Sequence, residues 1–150
     1  MPLTYQTEEW PVVIQEMEQL FLEHWKEVGV SKTPPDPDHA TYLAMHENGM
    51  VHVTTARHNG VLAGYLVAII SNSLHYSGVV HAAFDLYYLK PEYRKGMAGV
   101  RLFSEAEKAL KAEGVDRMFT GTKKRLDMGL LFERQGWTEI ERTYTKWIGD

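Results

Sequence analysis

The segment PEYRKGMAGVRLF, residues 91–103, joins a predicted strand to a predicted helix and decides the fold assignment. It opens with a proline that stops the strand, continues through two basic residues, and places two glycines around Met97 and Ala98. A glycine-rich turn at the start of a helix exposes several backbone N–H groups, and the helix dipole adds partial positive charge there. Because phosphate binds well at such a position, the segment is either an anion site or an ordinary strand-to-helix turn with solvated charges.

Hydrophobic periodicity predicts the secondary structure on both sides of this turn. Asn59 and Gly60 separate two β-rich runs, which is a strong signal for a β-hairpin. The strand–helix–strand order from Val79 through Phe119 predicts a crossover that joins parallel neighbours. The predicted elements are helices at 10–28 and about 38–47, strands at 50–58, 61–70 and 79–90, a helix at 97–113, a strand at 115–121, a helix at 126–135, and one or two strands within 137–148.

These elements predict one α/β domain that spans residues 1–150. Their order is α-α-β-β-β-α-β-α-β(-β), with a mixed, mostly antiparallel sheet flanked by helices.

The composition excludes several classes of function. Lys and Arg total 16 against 20 Asp and Glu, a net charge of −4, so the chain lacks the positive charge of a general nucleic-acid binder. It has no cysteine, which excludes thiolate metal sites and a cysteine nucleophile. The histidines show no metal-ligand spacing, and we predict no metal site. The apolar run Val61–Ile70 is too short to span a bilayer, and no signal peptide is evident, so we expect a cytoplasmic protein without a nucleic-acid or membrane partner.

The strand, the turn and the helix around residues 91–103 together resemble the GCN5-related N-acetyltransferase (GNAT) superfamily. In that family the pattern [QR]-x-x-G-x-[GA] opens the helix and holds the pyrophosphate of acetyl-CoA. The resemblance covers residues 79–137, where LFERQGW (131–137) is similar to the family's Tyr-x-x-x-Gly-Phe ending. The turn RKGMAG is also similar to that of GNAT-like proteins of tailed bacteriophages. The resemblance implies direct transfer of an acetyl group from acetyl-CoA, as cosubstrate, to a primary amine.

The chain departs from the family pattern in two places. When Arg94 takes the first motif position, Met97 stands where the first glycine belongs, and Gly96 lies one residue early. Phe132 replaces a tyrosine that protonates the departing thiolate in many relatives, and a phenylalanine packs on the pantetheine but donates no proton. The resemblance implies that the cofactor contacts come from Arg94, Lys95, Gly96, Met97, Ala98, Gly99 and Phe132.

The resemblance also places the chemistry on the strand before Pro91. It makes the backbone N–H groups of Tyr87 and Leu89 the candidates for binding the thioester oxygen. Period-two alternation puts five strand residues on one face: His81, Ala83, Asp85, Tyr87 and Leu89. Asp85 or His81 is the candidate base, although a structural aspartate and a satisfied core histidine remain alternatives. Tyr144 or solvent would protonate the thiolate.

Three functions remain open at this point. The leading one is an acetyl-CoA-dependent N-acetyltransferase whose acceptor is a small-molecule amine or a protein or peptide amine, and the negative charge of the chain favours cationic acceptors. The second is a catalytically weak or inactive CoA-binding or structural protein. The third is an α/β interaction domain with no cofactor. The segment TYTKWI (143–148) is a candidate edge for a homodimer.

Overall fold

A computed structural model describes residues 2–29 and 33–150, which form a five-stranded sheet with helices on both faces. Strands β1 to β4 are antiparallel neighbours, and β5 lies parallel beside β4. The predicted fold class and the predicted parallel crossover are therefore confirmed. The elements are β1 (Thr4–Glu8), α1 (Trp10–Val28), α2 (His39–Glu47), β2 (Val51–His58), β3 (Val61–Asn72), β4 (Val80–Leu89), a 3-10 turn (Pro91–Tyr93), α3 (Ala98–Ala112), β5 (Arg117–Phe119) and α4 (Gly129–Arg134).

The turn between β2 and β3 has the backbone that its sequence predicts. Asn59 has φ of 49° and Gly60 has φ of 80°. Both central residues of a type I′ hairpin need positive φ, and Asn-Gly is the pair that tolerates it best. The predicted hairpin is confirmed, and it sets the register between β2 and β3.

Two hydrophobic clusters cover the two faces of the sheet. The first packs α1 and α2 against one face and includes Val13, Met17, Tyr65 and Tyr88. The second packs α3 and α4 against the other face and includes Leu66, Leu102, Phe103, Leu110 and Phe132. The sheet is therefore the middle layer of three, and β4 contributes side chains to both clusters.

Strand β1 is not evident from the sequence, because TYQTE has only one strongly apolar side chain. It is fixed by contacts that are distant along the chain. The guanidinium of Arg57 on β2 forms ion pairs with Glu8 at the end of β1 and with Glu16 of α1. The N···O distance is 2.8 Å in each pair. The hydrogen bonds from Arg57 lower the pKa of Glu8 to about 2. This ion-pair network joins β1, β2 and α1 at one corner of the sheet.

The prediction of strands within residues 137–148 is wrong for this chain, since no strand of the sheet follows β5. Every residue from 138 to 150 is exposed, including Trp147 at 85% and Ile148 at 88%. β-branched and aromatic residues favour strands only where they pack against neighbours, and β5 offers an edge of only three residues. The homodimer through TYTKWI stays a prediction.

The alternation predicted for the strand before Pro91 is also wrong, because β4 contains a β-bulge. Val67 of β3 pairs with Leu86 and the next residue, Ala68, pairs with Phe84, so Asp85 is an extra residue with no partner on β3. A bulge shifts the side-chain alternation by one position. Consequently Tyr87 lies in the α3–α4 cluster, whereas Leu86 and Tyr88 lie in the α1–α2 cluster.

Candidate active site

The sheet opens between β4 and β5 next to the bulge. The two strands pair from His81 to Ala83 of β4, and no pairing is present beyond Ala83 and Phe119 among the described residues. Across the opening, the Tyr87 hydroxyl donates a hydrogen bond to the Gly121 carbonyl. A gap of this kind leaves one edge of β4 with unpaired backbone groups.

Two backbone N–H groups of β4 point into this gap. The N–H of Lys90 donates to Ala63 of β3 at 2.9 Å, and backbone groups alternate sides along a strand. The N–H groups of Tyr87 and Leu89 therefore point away from β3 and towards the gap. The Leu89 carbonyl agrees with this direction, because it accepts a hydrogen bond from the Arg94 side chain rather than from β3.

The turn before α3 exposes backbone amides at the same end of β4. Gly96 has φ of 61°, a conformation that glycine adopts without strain. The N–H of Arg101 is the first in α3 to have an acceptor within the helix. It donates a hydrogen bond of 2.9 Å to the Met97 carbonyl. A Cβ added at Gly99 would meet no atom within 4 Å, so the space beside these amides is open. The N–H groups of Ala98 and Gly99 therefore have no acceptor within the helix, and the anion site at this turn stays a prediction.

The three basic side chains near the turn differ in their surroundings. Arg94 holds Glu27 of α1 with two hydrogen bonds of 2.7 and 2.8 Å, and its guanidinium lies 5.4 Å from the centre of the Tyr88 ring. Lys95 and Arg101 are exposed and form no ion pair with a described residue. Arg94 therefore fixes the turn to α1, while Lys95 and Arg101 remain available to an anion.

Phe132 of α4 closes the bottom of the gap. It is 6% exposed, and its ring lies 5.2 Å from Phe103, 5.8 Å from Trp137 and 6.1 Å from Tyr87. Phe132 and Phe103 are buried, and the half-buried rings of Tyr87 and Trp137 form the accessible apolar surface beside them. The Tyr87 hydroxyl is the polar group on this surface, and burial raises its pKa, so it stays protonated at neutral pH.

Asp85, the bulged residue, faces α2. Its carboxylate accepts a hydrogen bond from the Tyr42 hydroxyl, whose own pKa is raised by burial. His81 lies earlier on β4 with its ring 4.9 Å from Phe119, and its buried Nε2 has no hydrogen-bond partner. Tyr144 is 86% exposed in the tail and makes no hydrogen bond or ring contact with these residues. The structure thus brings Asp85 and His81 to one stretch of β4 and leaves Tyr144 apart.

A cavity of about 350 Å³ reaches β4 at Leu86 from the opposite side of the sheet. It lies between α1 and residues 35–42, and its lining includes Trp10, Phe21, Trp25 and Tyr42. Helical spacing along residues 10–28 predicts that Trp10 and Trp25 both face the core. Trp10 is buried at 5%, whereas Trp25 is half-buried on the cavity wall. Helical spacing indicates which residues face inwards, but it does not distinguish a packed core from the wall of a cavity.

His24 lines this cavity and gives the fold a measurable pH dependence. Its Nδ1 lies 2.9 Å from the Tyr65 hydroxyl, and burial lowers the pKa of His24 from 6.5 to about 4. A histidine with a lowered folded pKa is stabilising above the unfolded value, and that stability is lost as the pH falls from 6.5 towards 4.

We expect the free energy of unfolding to fall by about 2 kcal/mol from His24 alone between about pH 7 and pH 5. Burial also lowers the pKa of His52, which adds to the loss in the same direction. Urea denaturation at both pH values, on wild type, His24→Gln and the exposed control His75→Gln, measures this difference. The His24 variant should lose less stability on acidification than the other two, and equal losses in all three would contradict the assignment.

Within residues 2–29 and 33–150 there is no group of three or more His, Asp or Glu side chains arranged to hold a metal ion. None of the described helices combines the length and hydropathy needed to cross a bilayer.

Solved structures of acetyltransferases share this fold at low sequence identity. A ribosomal-protein-alanine N-acetyltransferase from Brucella melitensis biovar Abortus 2308 superposes with a TM-score of 0.78 at 13% identity, covering 100% of both chains. An aminoglycoside acetyltransferase from an uncultured soil metagenomic sample gives 0.77 at 14%, also covering 100% of both chains. AAC(6')-Iy, solved with the bisubstrate analogue CoA-S-monomethyl-acetylneamine, gives 0.71 at 15% with the same coverage.

Sequence comparison identifies the family directly. No curated protein sequence is significantly similar to this chain. The Acetyltransferase (GNAT) family matches residues 14–137, which is most of the chain and includes the β4 strand, the glycine turn and Phe132. The chain therefore belongs to the GNAT acetyltransferase family.

Proposed function

We propose that this protein transfers an acetyl group from acetyl-CoA directly to a primary amine. The observation that supports this most strongly is the convergence of two spaces on the bulge of β4. The gap beside the α3 amides reaches Tyr87 from one side, and the aromatic cavity reaches Leu86 from the other. A donor and an acceptor bound in these two spaces would meet at the same short stretch of strand.

The gap suits the cofactor in charge and shape. The amides of Ala98 and Gly99, with Lys95 and Arg101 beside them, would hold the pyrophosphate. Phe132 and its aromatic neighbours would pack on the pantetheine. We assign Arg94 a positioning role, because its guanidinium is bonded to Glu27 and to the Leu89 carbonyl.

The amine must lose a proton before it can react. Deprotonating an ammonium of pKa about 10.4 at neutral pH costs roughly 4–5 kcal/mol, so a base must accept the proton. Asp85 is the better placed of the two candidates, because its carboxylate accepts a hydrogen bond from Tyr42, which lines the cavity. His81 packs on Phe119 and remains the alternative base.

The bond changes balance without a covalent enzyme intermediate. The nitrogen forms a bond to the thioester carbon, the carbon–sulfur bond breaks, and protons lost by the nitrogen go to the base and to the sulfur. The N–H groups of Tyr87 and Leu89 would stabilise the charge that develops on the thioester oxygen. The Tyr87 hydroxyl is our candidate for the proton donor that Phe132 cannot be, since Tyr144 lies in the exposed tail.

A second function is a CoA-binding protein with little catalysis, and Phe132 favours it because the usual proton donor is missing. The two functions differ in one assay. Acetyl-CoA is titrated calorimetrically, and thiol release is then followed with a panel of amines that includes a polyamine, an aminoglycoside and peptides with free N-termini. The aminoglycosides and the peptides are chosen because structural neighbours carry those acceptors in their names.

Micromolar binding with amine-dependent thiol release supports the transferase. Binding without release for any amine would favour the second function. The absence of binding would contradict both and would leave only an interaction domain.

A further inference from the structure

The cavity between α1 and residues 35–42 has a chemistry that selects among amines. Two of its twelve lining residues are acidic, Asp36 and Asp38, and none is Lys or Arg. His24 also lines it, but burial lowers the pKa of His24 to about 4, so that ring is neutral at pH 7. The described side chains that line the cavity therefore carry two negative charges and no positive one, which favours a cation at its wall.

The carboxylates of Asp36 and Asp38 differ in their hydrogen bonding. Asp38 caps α2, and its oxygens accept from the Thr41 N–H at 3.1 Å and the Thr41 hydroxyl at 2.6 Å. Asp36 is exposed at the mouth and makes no hydrogen bond or ion pair with a described residue. Asp36 is thus the carboxylate free to attract an incoming ammonium, while Tyr42, whose hydroxyl bonds Asp85, lines the same cavity.

The walls are aromatic rather than hydrogen-bonding. Trp10 and Tyr42 stack with ring centres 5.4 Å apart and an interplanar angle of 12°, and Phe21 and Trp25 also face the cavity. Aromatic faces attract cations and pack well on flat or alkyl groups. A hydroxyl-rich molecule would lose its bonds to water here without replacing them.

The volume of the cavity limits which amines can fit inside it. Pockets for drug-sized molecules span about 300–1,000 Å³, and about 350 Å³ lies at the small end of that range. The volume accommodates one ring or one short alkyl chain, and a multi-ring polycation would stay largely outside.

Resting on the proposed transferase function, we propose that the acceptor is a primary monoamine carried on a single aromatic ring or short alkyl chain. Its body lies between Trp10, Trp25 and Phe21, and its nitrogen lies on the side of the cavity formed by Asp36 and Tyr42. Polyamines and multi-ring aminoglycosides are poor acceptors on this account.

The test measures acceptor binding separately from acetyl transfer. Phenethylamine, the neutral analogue phenylethanol, spermidine and the aminoglycoside neamine are titrated into the full-length protein saturated with CoA. We expect phenethylamine to bind at least about tenfold more tightly than each of the other three. Asp36→Asn should weaken phenethylamine binding about three- to fivefold, and Trp25→Ala should weaken it about tenfold. The exposed Glu47→Gln is the control, and its affinity for phenethylamine should not change.

Thermal melts confirm that each variant is folded before its affinity is compared, and Asp36→Asn, an exposed position, keeps the test valid if Trp25→Ala does not fold. Tighter binding of spermidine or neamine, or an unchanged affinity in Asp36→Asn, would overturn the proposed acceptor class. Acetyl transfer to spermidine would also contradict the proposed acceptor class, but it would support the transferase function. Tight phenethylamine binding without thiol release would uphold the class and count against the transferase instead.

Discussion

Gly99→Asp is expected to abolish measurable acetyl-CoA binding, weakening it at least about 100-fold, without unfolding the protein. The new carboxylate would occupy the α3 amides and repel the pyrophosphate that those amides are proposed to hold. The fold should tolerate the change, because a Cβ at Gly99 meets no atom within 4 Å and acidic residues stabilise the first turn of a helix. Isothermal titration measures the affinity, and a thermal melt checks the fold.

Ser104→Asp is the matched control for that variant. It introduces the same charge at an exposed position on α3, beyond the first turn, where no free amides remain. Its affinity for acetyl-CoA should match that of wild type. If both variants lose binding equally, the effect is one of overall charge and the anion site is misassigned.

Asp85→Asn is expected to reduce kcat/KM about 10²- to 10⁴-fold at neutral pH, while the affinity for acetyl-CoA stays unchanged. The amide keeps the shape of the side chain and can still accept a hydrogen bond from Tyr42, so the loss isolates the base. As the pH rises, the variant should recover activity about tenfold per unit, because the amine then loses its own proton to solvent. The rate of acetylation is measured from pH 7 upwards for both proteins.

Tyr42→Phe separates proton transfer from orientation. It removes the hydroxyl that bonds Asp85 but leaves the carboxylate in place, so we expect a smaller loss than in Asp85→Asn and no recovery at high pH. A full loss in His81→Ala together with an active Asp85→Asn would transfer the role of the base to His81.

Local patterns in the sequence predict the turn, the hairpin and the crossover, because each depends on neighbouring residues. Gly96 adopts positive φ and α3 begins directly after Met97, as the glycine spacing indicates. The family resemblance rests on the same local residues. The proposed cofactor residues can therefore be named from the sequence alone.

The proposed acceptor side depends on contacts between distant segments, which no local pattern indicates. The bulge at Asp85 exists because β4 pairs with β3 in two registers, and it moves Tyr87 to the other face of the sheet. Tyr42 reaches Asp85 across 43 positions of sequence. The expected strands after residue 137 fail for the opposite reason, since strand-forming residues have no partner strand there.

Following the acetyl group itself tests the proposed direct transfer most directly. The protein is incubated with phenethylamine and acetyl-CoA that carries a heavy-isotope acetyl group, and both the amine and the intact protein are analysed by mass spectrometry. Direct transfer predicts heavy acetyl on the amine, free CoA in equal amount, and no label on the protein. If acetyl-CoA binds but the label stays on CoA for phenethylamine and for every other amine tested, the protein is a CoA-binding member of the family and not a transferase.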